Sequence, residues 1–215
     1  MPAPSPAPPD WSRVERASLR RLSTPRRVQD LLDQFAYRTE DAPASPRRAL
    51  AERRAHCFDG ALLAAAALRF HGHRPLLLDL RAIHDDDHVI AVYQVEGAWG
   101  AVAKSNFVGL RYREPIHRTL RELALSYFEP YYNLRRRRTL RQYSARPLDL
   151  RRFDRLGWEF DEAVAPLLAE RLDALPHLAL LTPAQAGRLM PLDPRSVRAG
   201  MVGTDLAGVR PTCRT

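Results

Sequence analysis

Cys57 heads an Ala/Leu-rich run, CFDGALLAAAALRFHG, which reads as a buried helix closed by Gly72. The first-turn N–H groups and the dipole of such a helix stabilise a thiolate and present donors to an oxyanion, so the chemistry suggested is nucleophilic attack by sulfur. A thiol nucleophile also needs a base. His88 opens the run HVIAVYQV, where a strand can hold its side chain rigidly and face it to the helix start. The bland reading of both residues is structural, with Cys57 a core thiol and His88 a satisfied histidine at a strand end. Directly before His88 stand His84, Asp85, Asp86 and Asp87, residue types that bind metals. Neighbours on an extended chain point to opposite sides and no second cluster accompanies them, so the segment reads as an acidic turn, and no metal or cofactor is expected. Its carboxylates are expected to raise the pKa of His88 and favour an imidazolium beside a thiolate. His56, His71 and His73 read as surface residues.

The elements that must position this pair follow from pattern and turn chemistry. The runs 75–80 (PLLLDL) and 88–95 read as strands, and Glu96-Gly97 as a tight turn into a third strand over 99–104 (WGAVAK). If the turn has two residues, Val95 pairs with Ala98 and the ladder brings Ser105 opposite His88. Ser105 is then the geometric candidate to orient the imidazole. Asn106 is the chemically better one, because an amide oxygen can accept the ring N–H, but it needs a bulge to turn inward. Both stand as candidates. Flanking helices are expected from Thr24-Pro25 to near Tyr37, over 47–54, over 115–128 and over 159–175 despite Pro166. The polar and aromatic stretch from Lys104 to Pro115 is a candidate rim of the cleft.

Cys57 at the head of an Ala-rich helix, then a strand, then His88, the hairpin turn and Trp99 resemble the transglutaminase-like superfamily, whose fold is papain-like. The resemblance covers roughly residues 37–105, about a third of the chain. It implies an α+β domain with the cysteine at the start of a buried helix packed on a small antiparallel sheet. It also implies a thioester-forming enzyme, either a hydrolase of the peptidase or amidase kind or an acyltransferase. The family's aspartate, usually four residues after the tryptophan, has no counterpart, because Ala103 stands there. That departure supports the rival reading of a catalytically inert binding or scaffolding module.

The remaining composition sets bounds. With 215 residues, 45% hydrophobic and 27% charged, the chain is long enough for one core. A Pro/Ala-rich arm over 1–12, a single domain over 13–181 and a loosely packed tail over 182–215 are expected. No apolar run is long enough to cross a membrane, the opening residues do not read as a signal peptide, and a cytoplasmic protein is expected. Cys57 and Cys213 suggest no disulfide framework. The net charge of +9 favours a peptide or amide-bearing substrate that is acidic. It is carried by arginine rather than by lysine, of which Lys104 is the sole example, and the Arg135–Arg138 patch reads as an exposed loop rather than a nucleic-acid site.

Overall fold

The computed structural model describes residues 10–40 and 42–209. The first nine residues of the proline-rich arm and Cys213 lie outside them. The chain is mixed α+β, built on a mostly antiparallel sheet. Its elements are α1 (Arg13–Arg21), α2 (Pro25–Asp33), β1 (Ala36–Tyr37), α3 (Pro46–Glu52), β2 (Arg54–Ala55), α4 (Cys57–Phe70), β3 (Leu76–Ala82), β4 (His88–Val95), β5 (Ala98–Val102), β6 (Arg113–His117), α5 (Leu120–Ser126), β7 (Leu140–Ser144), β8 (Leu148–Asp149), α6 (Val164–Asp173), β9 (His177–Ala179), α7 (Pro183–Ala186) and α8 (Pro194–Gly200). The main sheet runs β6-β5-β4-β3-β7-β9, with β8 also on β3, and a separate parallel pair joins β1 to β2. Among the described residues no helix is long and apolar enough to cross a membrane.

The hairpin forms as its turn chemistry dictates. Glu96 and Gly97 both take positive φ, 50° and 82°, the pairing that matches the twist of two antiparallel strands. Val95 pairs with Ala98 and Ala91 with Val102, which is the register expected. The ladder ends there, however, and β5 stops at Val102 before Ser105 can pair with His88.

The two sheet faces bury separate cores. Leu77, Val89, Ala91 and Tyr93 pack with α4, whose alanines over 64–67 are buried and allow close approach. Leu78, Leu80, Ile90 and Val92 pack on the opposite face with Leu123, Tyr127 and Tyr131. Gly60 in the first turn of α4 lies so close to Lys104 that a Cβ there would fall 2.3 Å from the lysine Cβ. Lys104 in turn is buried and donates from Nζ to Leu32 O at 2.9 Å and Phe35 O at 2.5 Å, satisfying carbonyls at the end of α2. Gly60→Ala should therefore destabilise the protein by about 1–3 kcal/mol through overpacking, read as a lowered denaturant midpoint with an unchanged m-value.

Three departures from the expected elements have physical causes. A helix over 13–21 precedes the first one expected, and the signal for it is the pattern Ser12-x-x-Glu15, which closes a reciprocal capping box. Residues 115–117 are strand rather than helix, since Pro115 sits on β6, the edge of the sheet, where a missing N–H breaks no inner ladder. The helix starts only after Thr119, whose hydroxyl accepts Glu122 N–H. Beyond Thr182 the chain is mostly exposed, yet it carries α7 and α8 and is tied back to the body by Tyr132, which donates to Val197 O at 3.1 Å.

Candidate functional site

Cys57 is the first residue of α4, and His56 before it is the cap. Its Nδ1 accepts from Phe58 N at 3.1 Å and Asp59 N at 3.4 Å, so His56 is part of the helix start rather than a free surface residue. Asp59 completes the arrangement from a fully buried position, accepting Ala44 N–H at 2.7 Å with Arg38 Nη1 3.7 Å from its other oxygen. The loop between β3 and β4 then closes over the helix start. Cys57 Sγ lies 3.9 Å from Asp87 O, which puts the thiol beside the start of β4.

His88 lines the same cavity, about 230 Å³ in volume, together with Cys57, Asp85, Asp86, Asp87, Ser105 and Asn106. Strand alternation nevertheless points its ring away from α4, into the opposite core, where it meets the rings of Tyr127 and Tyr131 edge-on. The expectation that it faces the helix start is corrected: the cavity joins thiol and imidazole around the end of β4. No hydrogen bond joins the two groups directly.

The partner that orients the ring is neither Ser105 nor Asn106. His88 Nε2–H donates to Leu110 O at 2.8 Å, an acceptor-only group that fixes the proton on Nε2 and leaves Nδ1 with the lone pair. Ser105 Oγ instead accepts Phe107 N–H at 3.0 Å, and Asn106 holds the backbone of Asp205. Both still line the cavity because the chain follows on directly from β5. The sheet does contain a histidine–carboxylate pair, but it is His177 and Asp79, buried and 2.8 Å apart, linking β9 to β3.

Electrostatics in the cavity run opposite to the sequence expectation. Burial pushes the Cys57 thiol up to about 11, assisted by the charges of Asp59, Asp86 and Asp79 and opposed by the Val89 N–H. Burial likewise pulls His88 down to about 4, against the pull of Leu110 O. The resting pair is a neutral thiol and a neutral imidazole. The acidic turn does not make His88 an imidazolium, because burial of the ring penalises its charged form; of the carboxylates, Asp85 accepts from Thr139 Oγ1 at 2.6 Å and Asp87 from Ala82 N at 2.7 Å.

Among the described residues the charged side chains of the lining are aspartates, with neither Lys nor Arg, a lining that disfavours an acidic substrate where the overall charge suggested one. Asp87 does approach Asp79 and Asp173 closely enough for their oxygens to lie within 4.8 Å, but Arg81 stands between Asp87 and Asp173 and offsets their charge. Arg135, Arg136 and Arg137 are exposed, as expected of that loop, while Arg138 pairs with Glu129 at 2.7 Å.

Several site groups escape sequence reasoning. Tyr131 closes the cavity by donating to Asp86 O at 2.6 Å, and Tyr37, Tyr132, Gly208 and Val209 line it from distant parts of the chain. No protein-family model matches the sequence, and no curated protein matches it.

Proposed function

We propose that the protein carries out thiol-dependent acyl chemistry, with Cys57 as nucleophile and His88 as base, in a papain- or transglutaminase-like domain. The observation that carries this reading is the opening of one cavity onto both the sulfur at the start of α4 and the imidazole at the start of β4. Cys57 attacks a carboxamide or other acyl carbon, and its S–H proton passes to His88 Nδ1 as the C–S bond forms. His88 returns that proton to the leaving amine as the C–N bond breaks, leaving a thioester on Cys57. Water or an acceptor amine then releases the acyl group. Nε2–H on Leu110 O does for the ring what an aspartate does elsewhere, holding its tautomer and favouring the transient imidazolium. The Cys57 N–H, without an acceptor among the described residues, is the donor available to the developing oxyanion.

Because thiol and imidazole rest neutral, proton transfer accompanies attack instead of preceding it. A pre-formed ion pair would react with small alkylating agents at neutral pH, whereas Cys57 should label faster as pH rises toward about 11. An activated acyl ester should nevertheless leave a thioester on Cys57 at neutral pH, detected by intact and peptide mass. The second reading, an inert binding module, is favoured by the His88 ring facing away from α4 and by the missing hydrogen bond. It requires that no thioester form at any pH at which the fold survives.

A further inference from the structure

We infer that a second cavity, at the start of the β3–β4 loop, binds a small molecule that carries a phosphoryl group on an aliphatic body. The site goes beyond the acyl-chemistry reading and does not depend on it. Ile83 and His84 line this cavity, whereas the next residues of the loop, 85–87, line the one at Cys57, and the two cavities share no lining residue. Its volume is about 360 Å³, within the range of small-ligand sites. Among the described residues its charged lining is Arg137, Arg138 and Arg141, with no carboxylate. Arg138 is offset by Glu129 at 2.7 Å, but Arg137 and Arg141 have no carboxylate partner among the described residues. Burial lowers the pKa of Arg141, the mark of a cation whose desolvation no anion of the protein repays.

Hydrogen bonds hold these arginines in place. Asn133, only 2% exposed, accepts Arg135 N–H at 3.1 Å and Arg137 N–H at 3.2 Å on Oδ1, and its Nδ2–H donates to His84 O at 3.3 Å. One buried carboxamide thus ties the basic loop to the β3–β4 loop. Arg138 Nη1 donates to Met190 O at 2.9 Å, and Arg141 Nη1 donates to Arg138 O at 3.0 Å and Leu140 O at 2.8 Å. The Nε and Nη2 donors of Arg141 are left without an acceptor among the described residues. Leu189, Pro191 and the exposed side chains of Ile83 and Met190 supply an aliphatic wall. A phosphate monoester matches this lining, with three terminal oxygens and nearly two negative charges for the guanidinium forks and an alkyl group for the wall. A nucleic acid fits it less well, because no Phe, Tyr or Trp among the described residues lines the cavity to stack a base.

The test titrates the full chain with butyl phosphate in a calorimeter. Saturable binding is expected, about tenfold or more tighter than that of inorganic phosphate, which lacks the alkyl group, and than that of pentanoate, which lacks the second charge. Arg137→Gln and Arg141→Gln should each weaken it about tenfold, the effect of one lost charge-assisted hydrogen bond. Arg146→Gln, at an exposed arginine outside the cavity, should leave it unchanged. Arg137 makes no ion pair in the fold, so its variant carries the test should Arg141→Gln fail to fold. Absence of saturable binding overturns the inference, and so do equal affinities for the three anions. An equal loss in Arg146→Gln would show attraction by net charge alone and would overturn it as well. A single-stranded oligonucleotide that displaces butyl phosphate and binds more tightly would assign these arginines to nucleic acid instead.

Discussion

Cys57→Ala abolishes acylation by an activated ester, lowering the rate by about 10⁴-fold or more, while the melting temperature shifts by only a few degrees. The first expectation is for acylation at position 57, separated from any at Cys213 by peptide mass, and it follows because a removed nucleophile leaves only background reaction there. The second follows because Cys57 is the first residue of α4 and only partly buried, so the change costs one weak contact to Asp87 O and replaces a poor helix former with the best one. Stopped-flow ester turnover and calorimetry measure the two sides. Retained acylation in the variant would sink the enzyme reading, and a collapsed melting temperature would mark Cys57 as a core residue. Ser105→Ala and Asn106→Ala should act less strongly and by another route, because neither side chain touches the imidazole.

His88→Gln is the second large effect, with two readouts that separate chemistry from structure. The amide can still donate to Leu110 O, but no base remains, and acylation should fall by about 10²–10⁴-fold. The stability of the two proteins should diverge in acid. In the wild type His88 is held down to about 4 by burial, against 6.5 for the free side chain. Below about pH 6.5 the unfolded chain therefore takes up the proton first, and stability declines as pH falls toward about 4. That single group accounts for a loss of up to about 3 kcal/mol, which the variant lacks, so urea midpoints of the two should converge on acidification from a gap at pH 7. Parallel curves would show that His88 is not buried neutral. The same depressed value puts the acid limb of kcat/KM near pH 4 instead of near 6.5.

What the sequence could and could not carry divides along physical lines. The α4 helix and the β4–β5 hairpin are local, written in an Ala/Leu run closed by Gly72 and in Glu96-Gly97, and both form with the register expected. Cys57 and His88 are recoverable for the same reason, since each opens its element. The partner of His88 is not, because Leu110 contributes a backbone carbonyl and a carbonyl has no residue type to recognise. The protonation states escape sequence reasoning because counting nearby charges omits desolvation, the largest cause of both shifts, which the charges of Asp59, Asp86 and Asp79 reinforce at Cys57 and that of Arg113 reinforces at His88. The cavity's far wall, formed by Tyr131 and by residues 208 and 209, depends on contacts across many residues that no short pattern encodes. The papain- or transglutaminase-like assignment itself remains a resemblance carried by Cys57, His88 and Trp99 alone.

The burial of Lys104 reaches beyond the packing of α2. It is the chain's one lysine, and with its Nζ spent on two carbonyls the protein shows no lysine amine to solvent. Were the proposed thioester to form at Cys57, no lysine of a neighbouring copy would be there to attack it, and cross-linking of one copy to another through lysine would be ruled out. Arginine carries the solubilising charge in its place, and a guanidinium, protonated at any working pH, is no acceptor for an acyl group.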